Sequence, residues 1–134
     1  GPPLGWEEEY VSAYATTHPW EDFAETFAHY LHIRGTLQTA AGYGLMVTGP
    51  AEAQGTSQAA SPMSTPDDEV DLDLEPFDSI LAEWLPLTYA LNELNRAMGK
   101  PPLYPFVLTP KVVEKLSLIH RMVVQVAREQ EVSA

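Results

Sequence analysis

Apolar residues recur at helical spacing along most of this chain and predict four helices, over about residues 6–15, 19–34, 77–98 and 110–129. Thr17 or His18 is the expected cap of the second helix, and Pro19 suits its first position. Gly35 is the expected stop of that helix, because glycine favours helix ends. Residues 36–44 are expected to add a short helical turn.

The third and fourth predicted helices are separated by a proline-rich connector. Pro86 lies inside the third helix and is expected to kink it, and Gly99 is expected to end it. Residues 101–108 are expected to be an extended apolar connector, and Thr109-Pro110 favours a helix start. The fourth helix is expected to bury Val113, Leu116, Ile119, His120, Val123 and Val126 or Ala127.

The whole pattern predicts an all-α fold in which helices pack around an aromatic and aliphatic centre. In the second helix, helical spacing places five large side chains on one face: Trp20, Phe23, Phe27, Tyr30 and Leu31. The expected aromatic core of the protein consists of Trp20, Phe23, Phe27, Trp84 and Phe106.

A low-complexity segment divides the chain into three parts. Residues 46–76 are small, polar and acidic, and they cannot bury enough apolar area to offset the cost of ordering. We therefore expect a mobile acidic surface loop there. Residues 1–45 form a helical segment that carries the candidate acids, and residues 77–134 form a helical hairpin that completes the same domain.

Composition excludes several classes of function. The chain has 134 residues, 19 acidic and 7 basic side chains, and no cysteine. It therefore has no disulfide, thiolate zinc site or cysteine nucleophile. A formal charge of −12 argues against nucleic acid as a partner. No run approaches the roughly 18 apolar residues of a membrane span. Residues 1–9 lack both an initiator Met and a leader pattern, so we expect a fragment or processed chain, located in the cytoplasm.

The second predicted helix carries the candidate chemistry. At 100° per residue, Glu21, Glu25, Ala28 and His32 fall in a narrow arc opposite the aromatic face. One interpretation is a solvated polar face, which is the default for an amphipathic helix. The other is that Glu21 is a metal ligand and Glu25 accepts a hydrogen bond from a ligating histidine. His32, on the same arc, is a spare candidate metal contact.

The remaining histidines have simpler interpretations. His18 precedes Pro19 and is expected to start the helix. His29 is expected on the surface, paired with Glu25 or Asp22. His120 lies on an apolar stripe and is expected to be a hydrogen-bonded core residue.

Three segments of the chain carry long and distinctive motifs. The first segment, residues 11–32, contains His-Pro-Trp-Glu-Asp-Phe-Ala-Glu-Thr-Phe. The second, residues 84–99, reads Trp-Leu-Pro-Leu-Thr-Tyr-Ala-Leu-Asn-Glu-Leu-Asn-Arg-Ala-Met-Gly. The third is Leu-Tyr-Pro-Phe-Val-Leu at residues 103–108, with the helix that follows it. All three segments resemble the C-terminal half of the bacterial zinc-binding metallopeptidases. The resemblance covers nearly everything except the low-complexity segment and the last few residues.

The resemblance implies a zinc site of the gluzincin type. In such peptidases a His-Glu-x-x-His helix supplies two zinc ligands and the general base, and a downstream Glu completes the site. That Glu would be Glu21, and the acid that orients a ligating histidine would be Glu25. Lethal-factor-type peptidases have a similar Glu-x-x-Ala-Glu helix with a Tyr seven residues before it. Tyr14 holds that spacing, and its phenol would donate to the oxyanion of the tetrahedral intermediate. The alternative for Tyr14 is a half-buried structural aromatic.

The chain departs from the family pattern because it contains no His-Glu-x-x-His. We therefore expect a C-terminal fragment of a zinc-dependent peptidase, inactive on its own, with the N-terminal half of the same protein as its partner and a peptide or protein as substrate. Self-association of the fragment through an exposed apolar seam is also expected. The alternative functions are a non-catalytic helical interaction module and a degenerate peptidase scaffold. A third possibility is that Glu21, Glu25 and His32 bind a metal within this chain.

Overall fold

A computed structural model describes residues 1–48, 76–105 and 107–133 of the chain. The three long helices are α1 (Pro19–Gly42), α2 (Phe77–Ala97) and α3 (Pro110–Ser133). Two 3₁₀ turns, Trp6–Glu8 and Tyr14–Thr17, precede α1. No strand occurs among the described residues, and the prediction of an all-α fold is confirmed for them. Most of the predicted acidic loop (46–76) and the predicted core residue Phe106 lie outside the described residues.

Two predictions about the helices were wrong, the existence of the first helix and the end of the second. Residues 6–15 form no continuous helix but contain the two 3₁₀ turns, and the first turn follows Gly5 in a left-handed conformation (φ 76°). Gly35 does not stop α1, which continues to Gly42. A mid-helix glycine costs about 1 kcal/mol, and burial of Leu37 and Ala40 beyond it favours continuation.

Glycine ends two of the helices by the same hydrogen-bonding pattern. After α1, Gly44 adopts φ 68°, and the Leu45 N–H donates to the Ala40 carbonyl at 2.9 Å. After α2, Gly99 adopts φ 74°, and the Lys100 N–H donates to the Asn95 carbonyl at 2.8 Å. These are Schellman ends, in which the left-handed residue is most easily glycine. The prediction that Gly99 ends the third helix is confirmed.

The chain divides into two compact units, and the first consists of Gly1–Ile33 with Phe106–Ala134. Tyr30 and His120 lie in its interior and share a hydrogen bond of 2.6 Å between Oη and Nδ1. This confirms the prediction that His120 is a hydrogen-bonded core residue. The other buried side chains among the described residues of this unit are Val11, Ala15, Thr26, His29, Ile33, Val112, Leu116 and Ile119.

The buried face of α1 differs from the predicted aromatic face. Trp20 is 74% exposed and Phe23 is 43% exposed, so neither belongs to the core. The buried positions within the first unit are Thr26, His29, Tyr30 and Ile33. Their mean direction is rotated by about 100°, roughly one residue, from the predicted face. The prediction was wrong because it assumed that the largest aromatic side chains are buried, whereas the small Thr26 and the imidazole of His29 are buried instead. On α3, Val112 rather than Val113 is fully buried, and Val126 is exposed.

The second unit is Arg34–Pro105. Among the residues of this unit that the structure describes, the buried side chains are Leu37, Ala40, Phe77, Ile80, Trp84, Pro86, Leu87 and Thr88. Asn92 holds the connector after α2 by two hydrogen bonds to the backbone of Tyr104. Its Nδ2 donates to the Tyr104 carbonyl at 2.9 Å, and its Oδ1 accepts from the Tyr104 N–H at 2.8 Å. The Tyr104 ring packs edge-on against Trp84, with centroids 5.1 Å apart. None of the described helices is long and apolar enough to cross a membrane.

Candidate metal site on the first helix

The start of α1 is built by His18, as the sequence predicted. Its backbone is extended (φ −165°, ψ 147°), and its Nδ1 accepts a hydrogen bond from the Trp20 N–H at 3.1 Å. Its carbonyl accepts from the N–H groups of Glu21 and Asp22 at 2.9 and 3.0 Å. The cap therefore fixes the first turn of the helix, where the dipole favours negative charge and where both acids lie.

Glu21 and Glu25 lie on consecutive turns of α1, and both are half-buried. Residues four apart on a helix share a face, so the two carboxylates emerge side by side. The small residues beside them, Ala24 and Ala28, leave room for another element to approach this face. Carboxylate oxygens in such an arrangement can ligate a hard or borderline cation and can accept hydrogen bonds.

Tyr14 begins the second 3₁₀ turn and is 55% exposed. This exposure fits a half-buried structural aromatic as well as a phenol that reaches a ligand, so both interpretations of Tyr14 stay predictions. The turn itself is well anchored, because Ala15 is buried and its N–H donates to Ser12 Oγ at 3.2 Å. The Tyr14 carbonyl also accepts a hydrogen bond from Thr17 Oγ1 at 2.7 Å. The Tyr14 side chain thus extends from a well-anchored backbone and is partly exposed to solvent.

His29 does not lie on the surface, contrary to the prediction. It is only 6% exposed, and its ring lies 6.2 Å from that of His32, edge to face. Burial, followed by the nearby His32, lowers the pKa of His29 from 6.5 to about 4. The prediction failed because the core includes a polar position next to Tyr30 that hydrophobic periodicity does not mark.

His32 is exposed and lies far from Glu21 along the axis of α1. Eleven residues at a rise of 1.5 Å put the two positions about 16 Å apart along α1. Zinc bonds to nitrogen and oxygen are only about 2.0–2.2 Å long, so one ion does not bridge these two residues. Within the described part of the chain, no group of three or more His, Asp or Glu side chains could hold a metal ion.

The sequence reasoning missed an ion pair beside Glu21. Lys115 Nζ lies 2.8 Å from Asp22 Oδ2, and the lysine also donates to the Glu9 carbonyl at 2.6 Å. Its ammonium group lies 4.3 Å from the centroid of the Tyr10 ring. Asp22 and Lys115 are 93 residues apart, and no local pattern in the sequence pairs them.

Comparison with known families assigns the chain to a class. The family described as "Putative zinc-binding metallo-peptidase" matches residues 1–122, which include all of α1 and α2 and the first half of α3. The chain belongs to this family. The match also contains Tyr14, Glu21 and Glu25, in the segment on which the resemblance was based.

Mycobacterial proteins are among the similar ones. Uncharacterized protein Rv2568c of Mycobacterium tuberculosis and Uncharacterized protein Mb2598c of Mycobacterium bovis are each 47% identical to this chain over 131 residues. The alignments cover 98% of this chain and 34% of each relative. The chain therefore spans about a third of the length of the curated relatives it matches. No solved structure matches the chain significantly.

Proposed function

We propose that this chain is the C-terminal portion of a zinc-dependent peptidase and that Glu21 supplies its third zinc ligand. The observation that carries the proposal is the pair of half-buried carboxylates, Glu21 and Glu25, on consecutive turns of α1. They lie within the residues that match the zinc-binding family. The short side chains of Ala24 and Ala28 leave this face open to a neighbouring helix.

The donor set of the described residues fits part of such a site. A catalytic zinc ion commonly takes three protein ligands and keeps one position open. Glu21 offers one carboxylate, whereas the described residues hold no group of three ligands. The chain also contains no His-Glu-x-x-His. We therefore assign the two histidine ligands and the general base to a part of the polypeptide outside these 134 residues. The relatives are long enough to contain such a part, because the alignment covers only 34% of their length.

Each residue has a separate role in this proposal. Glu21, as a carboxylate, binds the metal and offsets part of its charge. Glu25 accepts a hydrogen bond from a ligating histidine and thereby orients it. Tyr14 donates its phenolic proton in a hydrogen bond to the oxyanion that develops on the scissile carbonyl of a peptide substrate. When bound, zinc supplies Lewis acidity and lowers the pKa of a water molecule toward 7.

The exposed aromatic side chains of α1 support the assignment of a missing partner segment. Trp20 is largely exposed, and Phe23 stacks on Phe27 with ring centroids 5.9 Å apart. Aromatic side chains in such a row are costly to leave in water. In the proposal this aromatic face packs against a further part of the polypeptide, while the helix that brings the other ligands approaches Glu21 on the opposite face of α1.

The experiment is the Glu21→Gln variant of the complete polypeptide that contains these residues. Glutamine keeps the size of the side chain but is a poor zinc ligand. We expect bound zinc, measured by mass spectrometry of the native protein, to fall well below one per chain, with peptide hydrolysis reduced at least about 100-fold. Glu114→Gln, a change at an exposed glutamate of α3, is the matched control and should retain both properties.

One result would reject the proposal. If the complete polypeptide binds no zinc, or binds it equally well in the Glu21→Gln variant, Glu21 is not a ligand. The exposed aromatic face of α1 would then favour the second candidate function, a non-catalytic helical module that docks a protein partner. That module predicts that zinc has no effect on the complete polypeptide.

A further inference from the structure

Lys115 joins three parts of the first unit through a single ammonium group. It lies in the first half of α3, and its side chain is 26% exposed. One contact is the ion pair with Asp22 on α1, at 2.8 Å. The second is the hydrogen bond to the Glu9 carbonyl, at 2.6 Å, and the third is the face of the Tyr10 ring. An ammonium has three donors, so it can bind these groups at the same time.

The segment that Lys115 holds leads directly to Tyr14. Thr109 at the start of α3 donates from its Oγ1 to the Glu8 carbonyl at 2.8 Å, next to the carbonyl that Lys115 binds. Beyond Tyr10, Val11 is buried, and Ser12 accepts from the Ala15 N–H. The backbone from residue 8 to residue 15 is therefore anchored at both ends, which fixes the point from which the Tyr14 side chain leaves the backbone.

The other end of the lysine contact fixes the first turn of α1. Asp22 follows Glu21, and its other carboxylate oxygen accepts from Thr26 Oγ1 at 3.4 Å. Successive helical residues point about 100° apart. When Asp22 is held against α3, Glu21 is turned away from Lys115 and its charge is not neutralised by that lysine. The pair also occupies Asp22, a carboxylate next to Glu21 that could otherwise compete for a cation.

We propose that Lys115 is a positioning residue, which fixes the Glu21 carboxylate and the Tyr14 phenol relative to each other by binding Asp22 and the Glu9 carbonyl at once. The proposal rests on the proposed function, since it concerns the two groups assigned there to the metal and the oxyanion. A displacement of about 1 Å in such a pair can reduce a rate roughly 100-fold. Lys115 itself contacts neither the metal nor the substrate in this scheme.

The test uses Lys115→Met in the complete polypeptide, with Lys111→Met as the matched control. Lys111 is also on α3, but it is more than half exposed, and its Nζ is as far as 4.0 Å from Glu114 Oε2. Hydrogen–deuterium exchange should increase in peptides covering residues 8–17 and 19–26 of Lys115→Met, with residues 77–97 unchanged. Lys111→Met should leave all three regions unchanged. This readout does not depend on activity, and unchanged exchange in residues 8–26 would overturn the proposal.

Kinetics then separate positioning from a purely structural contact. Tyr14→Phe should reduce kcat strongly in the otherwise unchanged protein but several-fold less when Lys115 is already Met, because the phenol is then misplaced. An equal loss in both backgrounds would overturn the proposal. Lys115→Arg, which keeps the cation, should recover most of kcat. If Lys115→Met does not fold, Asp22→Asn removes the same ion pair from the opposite side and should show the same coupling to Tyr14→Phe.

Failure of the proposed function gives a different pattern. In that case Tyr14→Phe and Glu21→Gln are silent in the unchanged protein, and the positioning role falls with the site. If both variants are impaired but neither exchange nor kinetics couples them to Lys115, the site stands and only the role of Lys115 is rejected.

Discussion

The hydroxyl of Tyr30 and Nδ1 of His120 share a hydrogen bond of 2.6 Å, although the two residues are 90 positions apart in the sequence. Both are buried, and their rings lie 5.7 Å apart. The bond joins α1 to α3 in the same unit that carries Tyr14, Glu21 and Lys115. Because a hydrogen bond is directional, a buried polar pair of this kind specifies how the two helices pack, which apolar contacts alone do not.

Tyr30→Phe tests the contribution of this bond to stability. The variant keeps the ring and removes the hydroxyl, so we expect the free energy of unfolding to fall by about 1–2 kcal/mol. Urea denaturation monitored by circular dichroism measures the change. Tyr43→Phe, at an exposed tyrosine after α1, should change stability by less than about 0.5 kcal/mol. Equal stability of the two variants would mean that the Tyr30–His120 bond adds nothing.

The buried His29 makes stability depend on pH. Its pKa in the folded chain is about 4, below the ordinary value of 6.5, because burial and the nearby His32 disfavour the charged ring. Between these values the unfolded chain binds a proton that the folded chain does not. The contribution of the neutral His29 ring to the free energy of unfolding is fully present above pH 6.5. It is lost as the pH falls toward 4, at up to about 1.4 kcal/mol per pH unit.

A variant of His29 separates this effect from the titration of the carboxylates. His29→Gln removes the titrating ring, so its stability should decline less steeply than that of the unchanged chain between pH 6.5 and 4. Tyr43→Phe, at an exposed tyrosine after α1, removes no group that titrates in this range, so its pH dependence should match the unchanged chain. Parallel curves for all three proteins in denaturant titrations would contradict the assignment to His29.

The 134-residue chain alone is expected not to bind zinc as a catalytic site does. Glu21 offers one carboxylate, and the described residues hold no group of three ligands. Calorimetric titration with zinc chloride should therefore give a flat isotherm at micromolar protein concentration. A saturable one-to-one isotherm that Glu21→Gln abolishes would place a complete site within the chain and remove the need for ligands from elsewhere.

The aromatic face of α1 is expected to make the isolated chain associate with itself. Trp20 and Phe23 are exposed at the start of the helix, and the energetic benefit of burying them favours a second copy when no other partner is present. Light scattering should give a mass that rises with concentration. Trp20→Ser should lower that mass, whereas Leu4→Ser, at an exposed position outside α1, should not. A monomer at all concentrations, with no binding of an apolar dye, would contradict the prediction.

Much of the local structure could be predicted because its causes are local. His18 caps α1, and Thr109 caps α3 by accepting from the Val112 N–H at 3.4 Å, each through hydrogen bonds that span two or three residues. Gly99 ends α2 because a left-handed residue is needed there. The common face of Glu21 and Glu25 follows from helix geometry alone.

Two errors show where local information stops. Gly35 is a good helix end by itself, but burial of the residues beyond it outweighs the cost of a mid-helix glycine. The aromatic face of α1 is apolar by composition, yet the packed face is turned toward Thr26 and His29. At Gly35 the free energy from contacts of the residues beyond it exceeds a local preference of about 1 kcal/mol.

The sequence by itself determined the helical class of the protein and the caps of α1 and α3. It also determined that Glu21 and Glu25 lie on the same face of α1, on consecutive turns. Only the tertiary structure decided which face of α1 is buried, that His29 lies inside, and that Lys115 binds Asp22 and the Glu9 carbonyl. The physical reason is range. Helix periodicity and capping act over about four residues, whereas the contact between Lys115 and Asp22 joins positions 93 residues apart, which only the packing of helices brings together.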